Sequence, residues 1–174
     1  QLYTFRDDLA QDARATLRRV AELGLRVIEP YDLVSVVDRL VKPMAEFGLT
    51  AATSHVSFIH ADLEAALAAA TRLGVETIID PYIPEQHWTT REGVATVAAA
   101  LNGAARRAAE VGITVGYHNH WWELASRIDG VSALEVFAGS DFPTLYATQD
   151  YREDFAECFT LYTWRNVLKR PLRL

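Results

Sequence analysis

Short apolar runs alternate along this chain with longer stretches rich in alanine, leucine and arginine, whose apolar residues recur at helical spacing. Leu2–Phe5 reads as a first strand. A helix over Asp12–Leu23 follows, with Leu17, Val20, Ala21 and Leu23 on one face and Gly24 as its stop. Leu25–Glu29 is the second strand, Leu33–Phe47 a helix ended by Gly48, and Leu49–Thr53 the third strand. Ala61–Leu73 is a helix ended by Gly74, and Val75–Ile79 the fourth strand. A long alanine-rich helix over Thr90–Val111 ends at Gly112, and Ile113–Tyr117 is the fifth strand. Val131–Ala138 reads as a short helix and Thr144–Ala147 as a sixth strand.

The junctions repeat. AELGLRVIE, AEFGLTAAT, TRLGVETII and AEVGITVGY each set a glycine between a helix and a strand. Glycine there supplies a left-handed turn at no steric cost. The strands that follow are continuous apolar runs, which suits parallel strands covered on both faces. Repeated strand–helix units predict an α/β fold, either a doubly wound sheet or a (β/α)8 barrel. No Gly-x-Gly-x-x-Gly follows the first strand, which disfavours a dinucleotide fold. Strand spacings of roughly 23–37 residues fit barrel units. A whole barrel takes about 250 residues, and 174 leave room for five or six units. The expectation is a parallel TIM-barrel type of fold, incomplete and truncated at its C-terminal side, over residues 1–150. Residues 151–174 lack the glycine-punctuated pattern and read as a divergent tail. Because Gln1 stands directly before an apolar run, a few residues of the first strand are expected to precede it.

Composition narrows the partners. A net charge of −6 argues against a broad phosphate-binding surface and hence against nucleic acid. The single cysteine, Cys158, excludes a disulfide framework and a cysteine-rich zinc site, and fits a reducing cytoplasm. No apolar run is long enough to span a membrane, and no signal peptide opens the chain.

In parallel α/β folds functional groups gather where strands end. The strand ends here carry Glu29-Pro30-Tyr31, Ser54-His55, Asp80-Pro81-Tyr82 and His118-Asn119-His120, with Glu123 just beyond. Gln149-Asp150 follows the sixth candidate. Three of the five histidines fall at these ends. Each residue alone has a plainer reading. Glu29 suits a helix-capping loop carboxylate, Asp80 a turn before proline, and Asp150 an N-cap. His87 and Trp88 suit a loop that covers a pocket or caps the barrel, and Trp121 and Trp122 suit loop packing or an aromatic wall for a sugar. The His118-Asn119-His120 triplet points most strongly to a site, because residues i and i+2 of a strand share a face. Imidazole and carboxylate together suit Mn²⁺, Zn²⁺, Fe²⁺ or Co²⁺, and an ion there could polarise a carbonyl or stabilise an enediolate. The two histidines equally suit acid–base catalysis or an outer-shell role.

QLYTFRDDLAQDARATLRRVAELGLRVIEPY resembles the opening of xylose isomerase-like TIM barrels, the sugar phosphate isomerase/epimerase superfamily. GITVGYHNHWWEL is similar to the fifth-strand signature of a His-Asn-His branch of that superfamily. The resemblance covers residues 1–150. It implies a (β/α)8 barrel with a divalent metal (Mn, Zn, Fe, Co or Mg) at its C-terminal mouth. It implies proton transfer next to a carbonyl of a sugar, sugar phosphate or keto-sugar, as isomerisation, epimerisation or a related lyase step. Carried onto this chain, it makes Glu29, His55 and His120 the catalytic groups. It makes His118, Glu123 and Asp150 the metal ligands, with Trp88, Asn119 and Trp121 contacting substrate. The family's seventh-strand histidine and eighth-strand glutamate have no counterpart here, so the ligand set is incomplete.

The leading expectation is therefore a metal-assisted sugar isomerase or epimerase with a small sugar-like substrate. A second is a non-catalytic or truncated barrel that binds a small carbohydrate or forms homo-oligomers through open sheet edges. A third, an endonuclease on the same barrel, is disfavoured by the acidic charge and the lack of a basic stripe.

Overall fold

A computed structural model describes residues 1–140. The expected sixth strand at Thr144–Ala147, Asp150 and the 151–174 tail lie outside the described residues. A 3-10 turn over Leu2–Phe5 leads into α1 (Arg6–Glu22), followed by α2 (Leu33–Phe47). Next come β1 (Thr53–His55), α3 (Leu63–Leu73) and β2 (Thr77–Asp80). A 3-10 turn over Glu85–Trp88 precedes α4 (Arg91–Ala109) and β3 (Thr114–Tyr117). The described chain ends with α5 (Trp121–Ala125), a hairpin of β4 (Arg127–Ile128) and β5 (Val131–Ser132), and α6 (Ala133–Ala138).

The helices form where the apolar spacing demands them. α2 keeps the predicted bounds, buries Leu33, Val36, Val37, Leu40 and Met44 on one face, and ends at Gly48 with φ 64°. α3 ends likewise at Gly74, φ 70°. These left-handed positions cost glycine nothing and would strain any residue with a Cβ. α1 starts six residues earlier than predicted but breaks at Asp12 (φ −152°, ψ 92°), whose Oδ1 accepts from the Ala15 N–H at 2.9 Å. Asp12 thus acts as an internal N-cap at the predicted helix start.

β1, β2 and β3 form one parallel sheet in that order, with Thr53, Thr77 and Thr114 side by side and His55 beside Ile79 beside Gly116. The intervening row, Ser54, Ile78 and Val115, is buried. The threonine row is half-buried to exposed. Two residues further on, the same face is buried again at Ile79 and Gly116, so the sheet is covered on both sides beyond its threonine-lined start.

Two expected strands are corrected. Leu2–Phe5 is a 3-10 turn: burial falls on Leu2, Phe5 is partly covered, and the residues between are exposed, which is a three-residue period rather than two. Only the Leu2 N–H reaches the next segment, at the Glu29 carbonyl. Leu25–Glu29 is extended and lies beside the β1 segment, but it forms a single bridge, Val27 to Thr50. Two backbone bonds hold it there, Thr50 N–H to Arg26 O and Ile28 N–H to Thr50 O, and His55 N–H to Pro30 O continues the pairing just beyond it. The buried Ser54 hydroxyl also donates to Pro30 O at 3.0 Å. No helix among the described residues is long and apolar enough to cross a membrane.

Candidate functional site

The carboxyl ends of the extended segment and of the three strands bring Glu29, His55, Asp80 and His118 to one rim. Parallel pairing aligns these ends, so residues far apart in sequence meet by register alone. His55 closes β1, and its Nε2 lies 3.9 Å from Glu29 Oε1, with both side chains largely covered. Thr53 Oγ1 donates to the same Glu29 oxygen at 3.0 Å. The Gln1 side-chain amide donates to His55 Nδ1. That contact puts the imidazole proton on Nε2, facing Glu29.

Just past β3 the chain stays extended through His120 (φ −121°, ψ −173°) and then turns into α5. His55 and His118 meet edge-on at 5.2 Å between centroids, and His118 and His120 at 5.1 Å. Three imidazoles thus form a contiguous row. Burial pushes His55 down to about 4, with the positive charge that His118 and His120 can carry adding to it. Burial, and then His118, also lowers His120. Both rings are therefore neutral at pH 7, the form that accepts a proton.

Glu123 sits one helical turn beyond His120 and has no solvent contact. Its Oε1 accepts from the Tyr117 hydroxyl and its Oε2 from the His120 N–H at 2.8 Å. Burial raises its pKa against those bonds. Both oxygens are committed inward, so Glu123 anchors the start of α5 and is not presented at the mouth as the expected ligand. Asp80 is likewise buried and committed. It accepts the Phe58 and Ile59 N–H groups at 2.9 Å each and the Tyr82 N–H at 3.1 Å, which pins the loop after β1.

Of the expected substrate contacts, Trp88 is corrected. It is fully buried, stacks on Tyr117 at 5.3 Å, meets Phe137 edge-on and donates its indole N–H to Ile83 O. The 3-10 turn that carries it points the indole into the core, so it cannot line a pocket. Trp121 is exposed, while Asn119 is half-buried and makes a long 3.5 Å side-chain contact to His120 O. Two side chains left off the expected site belong to this rim. Trp122 stacks on His120, and Tyr82 stands edge-on to both. Tyr82 was findable from its place two residues past a strand end. Asp150 lies outside the described residues. Among the described residues no group of three or more His, Cys, Asp or Glu is placed to hold a metal ion.

No family model and no curated protein matches the chain. Solved structures do. A sugar phosphate isomerase/epimerase from Parabacteroides distasonis ATCC 8503 superposes with a TM-score of 0.67 at 20% identity, over 79% of this chain and 59% of that one. A 3-keto-D-glucoside 4-epimerase from E. coli gives 0.48 at 19% identity, over 60% and 49%. A xylose isomerase-like TIM barrel protein from Mycobacterium smegmatis in complex with magnesium gives 0.47 at 18%, over 60% and 45%. The chain thus spans about 59% of the length of the first. The fold is an incomplete TIM barrel of the type seen in that sugar phosphate isomerase/epimerase, with the three-stranded parallel sheet as its described part.

Proposed function

We propose that this chain is a sugar isomerase/epimerase-like protein that moves a proton next to the carbonyl of a sugar or keto-sugar. The observation that carries the reading is the convergence of Glu29, His55, His118 and His120 on one rim of the sheet. Such a reaction needs a base at the carbon beside the carbonyl, a group that returns the proton, and a donor at the carbonyl oxygen. His120 and His55 supply neutral imidazoles. Glu29 faces the His55 N–H and stabilises the imidazolium that forms when His55 takes a proton.

A divalent ion, which would polarise the carbonyl, is not completed by the described residues, since Glu123 is turned inward. No step is therefore assigned to it. His118 is proposed as a ligand, with Asp150 as a companion. The lack of a complete shell among the described residues favours a second reading, a barrel that binds a small carbohydrate without turning it over.

Incubation with a panel of ketoses and aldoses in D2O, with and without added Mn²⁺, separates the two. Deuterium is expected to enter at the carbon beside the carbonyl of at least one sugar. Exchange is expected to be lost in His120→Ala and to require more Mn²⁺ in His118→Ala. Binding without exchange supports the second reading. Exchange that survives His120→Ala overturns the assignment of the base.

A further inference from the structure

The rim takes three of the five histidines. The other two meet each other. His60 lies on the loop between β1 and α3, and His87 in the 3-10 turn before α4. Their ring centroids stand 5.8 Å apart, with planes tilted by 31°. Proton transfer at the rim uses neither ring. The ring contacts of the rim join His55, His118, His120, Tyr82 and Trp122, and this pair takes no part in them.

Both backbone positions are fixed by groups other than the two imidazoles. The Phe58 and Ile59 N–H groups, directly before His60, donate to the Asp80 carboxylate at 2.9 Å each. Two residues after His60, Asp62 caps α3 by accepting the Ala65 N–H. The His87 N–H donates to Pro84 O at 3.1 Å, and the next residue, Trp88, is sunk in the core. The rings themselves have no hydrogen-bond partner among the described residues. The histidine ion pairs among those residues belong to His55 and His120. His60 is exposed and His87 half-buried, so ions from solvent reach the pair.

Two imidazoles gain little from touching, and they repel each other once both are protonated. An ion between them reverses that balance. Held at ~2.1 Å by one nitrogen of each ring, it leaves the ring centroids roughly 5–6 Å apart. The observed separation falls in that range. Imidazole suits Zn²⁺, Ni²⁺ and Cu²⁺, whereas Mg²⁺ and Ca²⁺ take oxygen ligands. No third histidine or carboxylate is placed to join the pair among the described residues, so water fills the other positions. The geometry points to His60 and His87 as a two-histidine clamp for a divalent transition-metal ion, tying the loop after β1 to the turn before α4. Because both loops are already held, closing the clamp costs little further ordering. The clamp shares no residue with the rim and does not depend on the sugar reading.

Melting temperatures of the tag-free 174-residue chain, taken with chelator and then with ZnCl₂, NiCl₂ or MgCl₂, test it. At about a hundred times the dissociation constant, Zn²⁺ or Ni²⁺ is expected to raise the melting temperature by roughly 5–10 °C. His60→Ala and His87→Ala are each expected to remove most of that rise and to weaken Zn²⁺ binding about tenfold or more in calorimetry. The same losses are expected in the His118→Ala background, which lacks the ligand proposed at the rim. His60 is exposed, so His60→Ala should melt like wild type in chelator. If His87→Ala melts lower there, His87→Gln, which keeps a polar side chain without a ring nitrogen, supplies the comparison. A rise that survives either loop substitution in the His118→Ala background overturns the clamp. So does a rise that vanishes with His118→Ala alone, an equal rise with Mg²⁺, or no rise with either Zn²⁺ or Ni²⁺.

Discussion

Glu123 is a carboxyl group without water, and the cost of that position explains its role. A buried charge is tolerated only when hydrogen bonds replace its hydration. Here the Tyr117 hydroxyl and the His120 N–H do so, and burial still raises the group. Tyr117 itself is packed between Trp88 and Phe137. The core therefore reaches the site through one carboxyl, and His120 is held at the end of that chain. Glu123→Ala should lower stability by about 2–4 kcal/mol, from the lost bonds, the stranded phenol and the space left behind. Urea denaturation measures this, and a loss under about 0.5 kcal/mol would show that the bonds carry little. The spacing His-Asn-His-x-x-Glu marked the right place in the chain, and the period-two argument for His118 and His120 matches the extended backbone up to His120. It could not assign Glu123, because the side chain's direction depends on the helix beginning at Trp121. Trp88 was misread for a related reason: the sequence placed it in a loop, but nothing local told that its indole would turn inward onto Tyr117.

At the level of elements, the glycine-punctuated helices were the most legible part of the chain, since their periodicity and their stops are both local. The strands were less so. A ladder exists only between neighbours, and Leu2–Phe5 and Leu25–Glu29 make one and three backbone contacts where full strands would make more. Apolar content alone did not reveal that shortfall. Helix α4 shows how position within an element decides what one substitution does. Its N-cap Thr90 accepts from the Gly93 N–H at 3.0 Å, and a Cβ on Gly93 would overlap the His87 carbonyl oxygen. Gly103, further along the same helix, has nothing within 4 Å of a Cβ. Gly103→Ala should therefore add about 0.5–1 kcal/mol by reducing the freedom of the unfolded chain and improving helix propensity. Gly93→Ala should cost about 1–3 kcal/mol, because the turn over Glu85–Trp88 must move and Trp88 moves with it. Opposite signs in thermal denaturation are the expected result. Two stabilising substitutions would show that the contact between α4 and that turn yields easily.

For the molecule as a whole, the row of imidazoles ties stability to pH. His55 titrates at about 4 in the folded chain against 6.5 in the unfolded one. Between those values the unfolded chain binds a proton that the folded chain refuses, so stability rises with pH. The contribution of His55 is full above about pH 6.5, declines as pH falls toward 4, and is constant below that. The gap corresponds to a loss on the order of 3 kcal/mol. His120, also lowered, acts in the same direction. Glu123 acts in the opposite one, since a raised carboxyl favours the fold at low pH and loses that advantage as pH climbs through its titration. The three groups belong to one rim, so their sum is best separated by substitution. Urea midpoints of chelator-treated wild type and His55→Gln, taken from pH 7 to pH 4, should lie closest at neutral pH and separate toward pH 4, as wild type loses stability that the variant keeps. Glutamine keeps a polar side chain there without the proton, so the variant's curve should be the flatter by the His55 share. Parallel curves would mean that His55 takes up its proton in the folded chain as easily as in the unfolded one. The rim would then be more open to water than its packing against His118 and Glu29 requires.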